Sequence, residues 1–311
     1  MKASKLCHTR FMVLSDNMRA ALLIMVSMAA FTVNDALMKL AAPNLPFFQQ
    51  IFMRGVLITI GLFILAAIWG HLHYKPDPKD RLLTALRTLA EAVGTVFFLT
   101  ALFSIPIANL SAILQALPLT VTLAAAVFLG EPVGWRRIVA ILIGFVGVAI
   151  IIRPEAEGFS IYALYGVAAV IAVTFRDLAA RKLSKAIPSS RVALAAAIGV
   201  TLMAGAGSYI ERETWVMPNL GETLLLLGAA LCLMAGYISA VAGMRLGEIG
   251  FVAPFRYTSL IVALILGFVL FDEWPDFWTM VGAAIVVATG LFTIYRERAT
   301  ASKPTMGLRV R

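Results

Sequence analysis

Residues 107–129 read IANLSAILQALPLTVTLAAAVFL, a stretch without a single charged side chain. A helix needs about 20 consecutive apolar residues to cross the hydrocarbon core of a bilayer. Transmembrane β-strands instead alternate apolar and polar residues over segments of about ten residues. The stretch therefore predicts a membrane-spanning α-helix.

Nine further apolar runs of similar length flank this stretch on both sides. Of the 311 residues, 61% are hydrophobic and 14% are charged, whereas soluble domains are about 45–50% apolar and about 25% charged. We therefore predict an all-α integral membrane protein with ten transmembrane helices. The predicted spans are Ala20–Leu40, Phe47–Gly70, Leu82–Phe103, Ile107–Leu129, Trp135–Ile152, Tyr162–Lys182, Val192–Tyr209, Leu220–Met244, Gly250–Phe271 and Phe277–Tyr295.

The basic residues predict how the chain is oriented. The formal net charge is +9, but the sequence has no dense Lys/Arg run with interleaved aromatic residues, so we expect no nucleic-acid partner. With the N-terminus in the cytoplasm, nineteen Lys and Arg fall inside, three outside and four within spans, which accounts for all 26. This asymmetry follows the positive-inside rule. It predicts an inner-membrane protein whose tails, 1–19 and 298–311, are both cytoplasmic.

The two halves of the chain match each other without a gap when one is shifted along the other. The shift equals the distance in sequence from Asp35 to Asp177 and is here called the repeat offset. Each half contains five predicted crossings, an odd number, so the second half enters the membrane in the opposite sense. We predict two inverted five-helix repeats, 20–153 and 162–297, an arrangement typical of secondary transporters. The alternative is coincidence in a strongly biased composition. The matched pairs are Thr32 with Thr174, Asp35 with Asp177, Pro46 with Pro188, Gly94 with Gly236, and Glu131 with Glu273.

Three stretches carry a resemblance to a known family. They are QQIFMRGVL at 49–57, SIPIANLSAILQALPLTVTLAAAVFLGEPVGWRRIVAILIGFVGVAII at 104–151, and APFRYTSLIVALILGFVLFDEWPDFWTMVGAAIVVATG at 253–290. With them the chain resembles the EamA-type ten-helix members of the drug/metabolite transporter superfamily. FTVNDALMKL at 31–40, APFRYTSL and FDEWPD are similar to the subgroup of bacterial riboflavin and S-adenosylmethionine carriers. The resemblance implies a carrier that moves a small organic metabolite by alternating access.

Ionisable residues inside the spans are the first candidates for function. A charge at the centre of a membrane helix costs about 2.5–3.5 kcal/mol on insertion scales, so such residues face a cavity or a partner. By depth, we expect Asp35 to pair with Arg54. Arg87 and Glu91 are four residues apart, so we expect them to pair on one face of span 3. Structural pairing that only holds helices together is the alternative. The gating or ion-coupling candidates are Asp35, Arg54, Arg87, Glu91, Arg176 and Asp177.

Proline residues in spans 4 and 9 indicate where a solute binds. Pro118 and Pro254 each remove a helical hydrogen bond, and interrupted helices at corresponding positions point to a transporter's site. The alternative is that the polar residues nearby only form hydrogen bonds that hold the helices together. The candidate substrate-binding residues are Gln115, Arg256, Tyr257, Thr258 and Ser259. Phe31, Asn34 and Tyr237 join them, because the family resemblance places their spans around the central cavity.

Two glutamates lie just past spans 4 and 9, at matching positions of the two halves. They are Glu131 and Glu273. A negative charge is favourable near the start of a helix. Their repetition therefore predicts a shared capping role at the following helix, in preference to contact with a substrate.

Other classes of function fit the sequence less well. The three histidines, His8, His71 and His73, fall in predicted cytoplasmic segments, and no catalytic motif is present, so we expect no enzyme, metal or cofactor. Two alternative functions are a passive channel and an exporter of amino acids or drug-like metabolites. The expected partners are a small-molecule substrate and the lipid bilayer, with the chain a monomer or homodimer.

Overall fold

The computed structural model describes residues 15–73, 76–153, 160–184, 186–246 and 249–301. Within these ranges the regular structure is entirely helical, and ten helices are long and apolar enough to cross a membrane. The prediction of an all-helical protein with ten membrane spans is confirmed. Spans 1 to 10 comprise Asp16–Ala41, Phe47–Ile68, Pro78–Ser104, Ile107–Leu129, Trp135–Ile152, Ile161–Lys182, Ser189–Ile210, Leu220–Leu246, Ala253–Phe271 and Phe277–Ala301.

Several helices extend beyond the predicted apolar runs because polar residues cap them. Span 1 begins at Asp16, where the side chain of Ser15 accepts a hydrogen bond from the backbone N–H of Met18. Span 3 begins at Pro78, whose missing N–H costs nothing in the first turn. Hydropathy detects the apolar stretch of a helix but not its polar ends. The predicted tail 1–19 therefore overlaps the start of span 1, while residues 1–14 lie outside the described ranges.

Spans 4 and 9 each depart from regular α-helical structure at one point. Span 4 consists of two α-helices, Ile107–Leu114 and Leu117–Leu129, joined by a tightened turn at Gln115. Span 9 follows a short helix, Ile249–Val252, and consists of a 3₁₀ stretch, Ala253–Tyr257, and an α-helix, Thr258–Phe271. In each span a proline lies near the interruption, which is consistent with the effect of proline inside helices.

The helices pack in pairs that join the two halves of the chain. Span 1 packs along span 8, span 3 along span 6, span 2 against span 7, span 4 against span 9, and span 5 against span 10. If each helix is replaced by its counterpart in the other half, the pair of spans 1 and 8 becomes the pair of spans 6 and 3. The other three pairs are unchanged by this replacement. The halves therefore interlock across a shared interface, and neither packs only on itself.

Small residues allow the closest approach between spans 5 and 10. A Cβ atom added at Gly282 would lie 2.6 Å from the carbonyl oxygen of Gly147, so the backbones touch. Large apolar side chains, such as Leu142 and Val146, are exposed on the outside of the bundle. Glycine contacts inside and exposed apolar side chains outside are what a helical bundle surrounded by lipid requires.

Candidate functional site

The interruptions of spans 4 and 9 meet in the interior of the bundle. The side-chain amide Nε2 of Gln115 donates to Oγ of Ser259 at 2.8 Å, and this hydroxyl donates to the backbone carbonyl of Arg256 at 3.1 Å. Gln115 is buried although it carries a full amide. Two predicted binding residues are thus in direct contact, one from each half of the chain.

Tyr257 lies on the same interruption and is only 8% exposed. Its hydroxyl contacts span 10 beside Gly290, yet it has no hydrogen-bond partner among the described residues. An unsatisfied buried hydroxyl costs about 1–3 kcal/mol, and a hydrogen bond to a polar atom that reached this group would offset that cost. The neighbouring Arg256 is exposed and Thr258 is partly buried. The predicted binding residues Arg256, Tyr257, Thr258 and Ser259 are thus consecutive at the break of span 9, and Gln115 contacts Ser259 among them.

Asp35 and Arg54 are connected through Asn34, not directly. Nη1 of Arg54 donates to Oδ1 of Asn34 at 3.2 Å, and Nδ2 of Asn34 donates to Oδ1 of Asp35 at 2.9 Å. Asn34 and Arg54 are 2% and 7% exposed. Among the described residues, Nε of Arg54 and Oε1 of Gln50, one turn earlier on the same helix, have no partner. The expected direct pair is therefore a three-residue chain, and Gln50 is an unpredicted neighbour.

Glu91 lies at the centre of a cluster of four charges. Its carboxylate contacts Nη2 of Arg87 at 3.3 Å on its own helix and Nη1 of Arg176 at 3.1 Å on span 6. Arg176 also contacts Oδ1 of Asp177 at 2.8 Å. The expected contact between Arg87 and Glu91 is present, and Arg176 adds a link between the halves. All four side chains are partly exposed, and charges at this depth face a polar cavity more readily than lipid.

Phe31 and Tyr237 mainly contact other helices. The ring of Phe31 lies against Gly236 of span 8, where an added Cβ atom would meet it at 2.6 Å. The hydroxyl of Tyr237 donates to the backbone carbonyl of Ser189 at 2.6 Å. Both residues thus fix the interface of span 8, whatever further contact they make with a solute.

Glu273 lies in a different environment from the one predicted. Its Oε2 accepts from the backbone N–H of Ile107 at 3.0 Å, so it caps span 4 in the other half and not the helix that follows it. Its Oε1 contacts Nζ of Lys39 at 2.7 Å. At the corresponding position, Glu131 pairs with Arg181 at 3.2 Å. Neither basic partner was predicted, although Lys39 and Arg181 also occupy matching positions of the two halves.

A cavity of about 430 Å³ lies at the predicted outer face, lined by Lys39, Gln50, Phe47, Phe103 and Phe271. It is separate from the contact between Gln115 and Ser259. Within the described residues, no group of three or more His, Cys, Asp or Glu is arranged to hold a metal ion.

Comparison with known families gives two matches along the chain. The model of the EamA-like transporter family matches residues 18–153 and 160–295. The starts and the ends of these two segments are each separated by the repeat offset. Together the segments cover most of the chain.

Several individual relatives are transporters. The chain is 28% identical over 283 residues to an S-adenosylmethionine uptake transporter of Rickettsia bellii, covering 90% of this chain and 94% of the relative. It is 30% identical over 210 residues to a riboflavin transporter of Vibrio cholerae, covering 67% and 69%. It is 26% identical over 283 residues to a pseudopaline exporter of Pseudomonas aeruginosa, covering 89% and 96%.

A solved crystal structure has a similar fold. It superposes with a TM-score of 0.64 at 17% sequence identity and covers 91% of this chain and 99% of that chain. At this identity the likeness concerns the fold alone.

Proposed function

The chain belongs to the EamA-like transporter family, and from this premise we propose that it carries a small organic metabolite across a bacterial inner membrane by alternating access. The repeats 20–153 and 162–297 are the two moving halves, inserted in opposite senses. The tails 1–19 and 298–311 lie in the cytoplasm. The observation that carries the proposal is that the contacts between the halves recur at the repeat offset.

Contacts between individual side chains support this symmetry. The hydroxyls of Thr59 and Thr201, which occupy matching positions, lie 3.4 Å from each other, as expected for residues on a twofold axis. The carboxylate of Glu213 accepts from the backbone N–H of Phe48 at the start of span 2.

His71 and Ser190 occupy the positions equivalent to Glu213 and Phe48, at the start of span 7, and are also in contact. Nδ1 of His71 lies 2.7 Å from Oγ of Ser190. An interface that repeats in this way admits two conformations in which the halves exchange roles.

The proposed binding site is the meeting point of the two interrupted spans. Gln115 and Ser259 come from different halves, so rocking of the halves changes their separation and couples binding to movement. The unsatisfied hydroxyl of Tyr257 and the exposed guanidinium of Arg256 supply a donor and a cation to the solute. Thr258, Asn34, Phe31 and Tyr237 complete the proposed set.

The charged residues are proposed to respond to the movement. The cluster of Arg87, Glu91, Arg176 and Asp177 ties span 3 to span 6, one from each half. The chain of Asp35, Asn34 and Arg54 lies within the first half and rigidifies spans 1 and 2. Breaking either set requires replacement contacts from water or solute, which makes both sets candidates for gating or ion coupling.

The names of the relatives suggest the substrate. S-adenosylmethionine and riboflavin are named as the substrates of two transporters similar to this chain, and we propose a metabolite of one of these kinds. Both molecules combine a ring system with many hydrogen-bonding groups, which fits a site made of amide, hydroxyl, aromatic and guanidinium groups. Export is the second candidate direction, because a relative of nearly equal coverage is a pseudopaline exporter.

Substrate counterflow in proteoliposomes tests the proposal. We expect labelled S-adenosylmethionine or riboflavin to enter faster when the same unlabelled compound is inside, because a carrier is trans-stimulated and a channel is not. Ser259→Ala removes the acceptor of Gln115, and losing one or two such hydrogen bonds corresponds to about a tenfold loss of exchange. The matched control is Ser104→Ala, an exposed serine that bonds to the backbone of its own helix. Uptake without trans-stimulation for every compound tried would favour a channel.

A further inference from the structure

Two ion pairs at equivalent positions of the repeat lie at opposite faces of the bundle. Lys39 pairs with Glu273 at the predicted outer face, and Arg181 pairs with Glu131 at the predicted inner face. The repeat offset places Lys39 on Arg181 and Glu131 on Glu273. We infer that these pairs are the outer and inner gates of the transport pathway, an inference that rests on the proposed alternating-access function.

The outer pair is closed in this structure. Nζ of Lys39 lies 2.7 Å from Oε1 of Glu273 and donates to the backbone carbonyl of Ile105 at 2.7 Å. The other carboxylate oxygen accepts from the backbone N–H of Ile107. The side chains of Lys39 and Glu273 are only 11% and 22% exposed. The pair therefore joins span 1, the turn between spans 3 and 4, and the end of span 9 into one shielded contact.

The inner pair has a longer ion-pair distance than the outer pair and is more exposed to solvent. The distance from Nη1 of Arg181 to Oε1 of Glu131 is 3.2 Å, and the two side chains are 46% and 52% exposed. An ion pair in contact with water is screened and contributes little, whereas a shielded pair is held strongly. The two gates thus differ in strength in the way expected of a carrier that is closed to the outside and hydrated on the inside.

The position of each pair in the chain explains how it acts on the pathway. Each glutamate lies just after an interrupted span, 4 or 9, and Gln115 and Ser259 lie at or next to the breaks of these spans. Each basic residue is at the end of span 1 or 6, and each pair joins one half of the chain to the other. Separation of a pair therefore releases the end of an interrupted span from the opposite half. This is the movement that opens one face to the binding site.

Accessibility of a buried cysteine at the outer end of the pathway tests the outer gate. Ala108 is next to Ile107 and is 1% exposed, so Ala108→Cys is a reporter in a background carrying Cys7→Ser and Cys232→Ala. In intact cells, we expect a membrane-impermeant maleimide to label this cysteine about tenfold faster when Glu273→Gln is added. An outward-open state of a few per cent would rise by that factor. Glu273→Gln keeps an acceptor for Ile107 while removing the charge. Lys39→Met is expected to accelerate the labelling in the same way. Lys39→Arg keeps the positive charge, so labelling is expected to stay slow.

A matched control distinguishes a gate from any ion pair at this face. Arg153 and Asp276 pair at the same face but join spans 5 and 10. We expect Arg153→Met to leave the labelling of the cysteine at position 108 unchanged. Equal acceleration by Arg153→Met would overturn the assignment. Unchanged labelling in Glu273→Gln and Lys39→Met, with both variants eluting as the folded protein, would also overturn it. If Lys39→Met does not fold, Glu273→Gln and Lys39→Arg decide by the same labelling rates.

Labelling and counterflow separate this inference from the proposed function. A protein that shows trans-stimulation, but whose gate variants label like the parent, overturns the gates and leaves the carrier intact. A protein that labels as expected but shows no trans-stimulation overturns the carrier, and with it the role of the pairs as gates of transport.

Discussion

Arg54→Met is expected to lower substrate exchange about a hundredfold and to lower the unfolding temperature of the purified protein. Arg54 is buried, and its guanidinium holds the amide of Asn34, which in turn holds the carboxylate of Asp35. Removing one partner of a buried charged set leaves the other charge uncompensated, at a cost of about 3–5 kcal/mol. About 2.8 kcal/mol already corresponds to a hundredfold change. Initial rates of counterflow and thermal unfolding in detergent measure the two effects.

The double variant Asp35→Asn, Arg54→Met separates stability from transport. With both charges removed, we expect most of the unfolding temperature to return, while exchange stays low if the charges serve the transport cycle. Arg19→Met is the control, because Arg19 and Asp16 form an exposed pair at 3.9 Å and such pairs contribute about 0–1 kcal/mol. Normal exchange and stability in Arg54→Met would show that the buried chain of three residues is dispensable.

Glu91→Gln is expected to lower exchange about 30-fold. The carboxylate of Glu91 compensates both Arg87 and Arg176, so its neutralisation leaves Arg87 without this carboxylate and Arg176 with Asp177 alone. Hydrogen bonds to charged groups contribute about 1.5–3 kcal/mol each, and about 2 kcal/mol corresponds to a 30-fold change. Counterflow rates at matched protein amounts in the liposomes measure the loss.

Two control variants show whether the loss in Glu91→Gln is caused by the loss of its charge. Glu91→Asp keeps the charge, so we expect an intermediate rate. Glu211→Gln neutralises an exposed loop glutamate and is expected to exchange like the parent. If Glu91→Gln exchanges as fast as Glu211→Gln, the four-charge cluster is a structural contact without a part in transport.

The number and the approximate positions of the helices follow from the sequence because lipid imposes a simple rule. Every membrane span must satisfy its own backbone and present about 20 apolar residues. Span 5 therefore begins at Trp135 and ends at Ile152 both in the prediction and in the structure. Spans 1 and 3 begin earlier than predicted, because polar caps lie outside the apolar run. The family was also predictable, since the motif around 104–151 is long and moderately specific for the superfamily, although it does not identify the substrate.

The partners inside the site were harder to predict because the sequence fixes the depth of a residue but not the rotation of its helix. Arg176 and Glu91 come from spans 6 and 3, and only the packing of these helices brings their side chains within 3.1 Å. Asn34 was predicted as a contact of the solute, yet its amide lies between Arg54 and Asp35. Glu273 was expected to cap its own neighbouring helix, but its carboxylate binds the start of span 4. These contacts arise from long side chains that cross between helices.

Equivalent positions that carry different residues give the proposed carrier its asymmetry. Gln115 corresponds to Tyr257, and Lys39 corresponds to Arg181. A perfectly symmetric pair of halves would make the two states equal in energy, whereas these differences favour one state by a small amount. A gap of a few kcal/mol keeps the minor state populated at about 0.1–10%. A solute that binds both states then lets the protein cycle between them.

Transport by the proposed mechanism requires the two halves to be the same five-helix unit inserted in opposite senses. Asn44 and Ala186 are exposed loop residues at equivalent positions of the two halves. In a background without native cysteines, an impermeant maleimide is expected to label Asn44→Cys in intact cells and Ala186→Cys only after permeabilisation. Labelling of both positions in intact cells, or of neither, would place the equivalent loops on one side of the membrane and contradict the account.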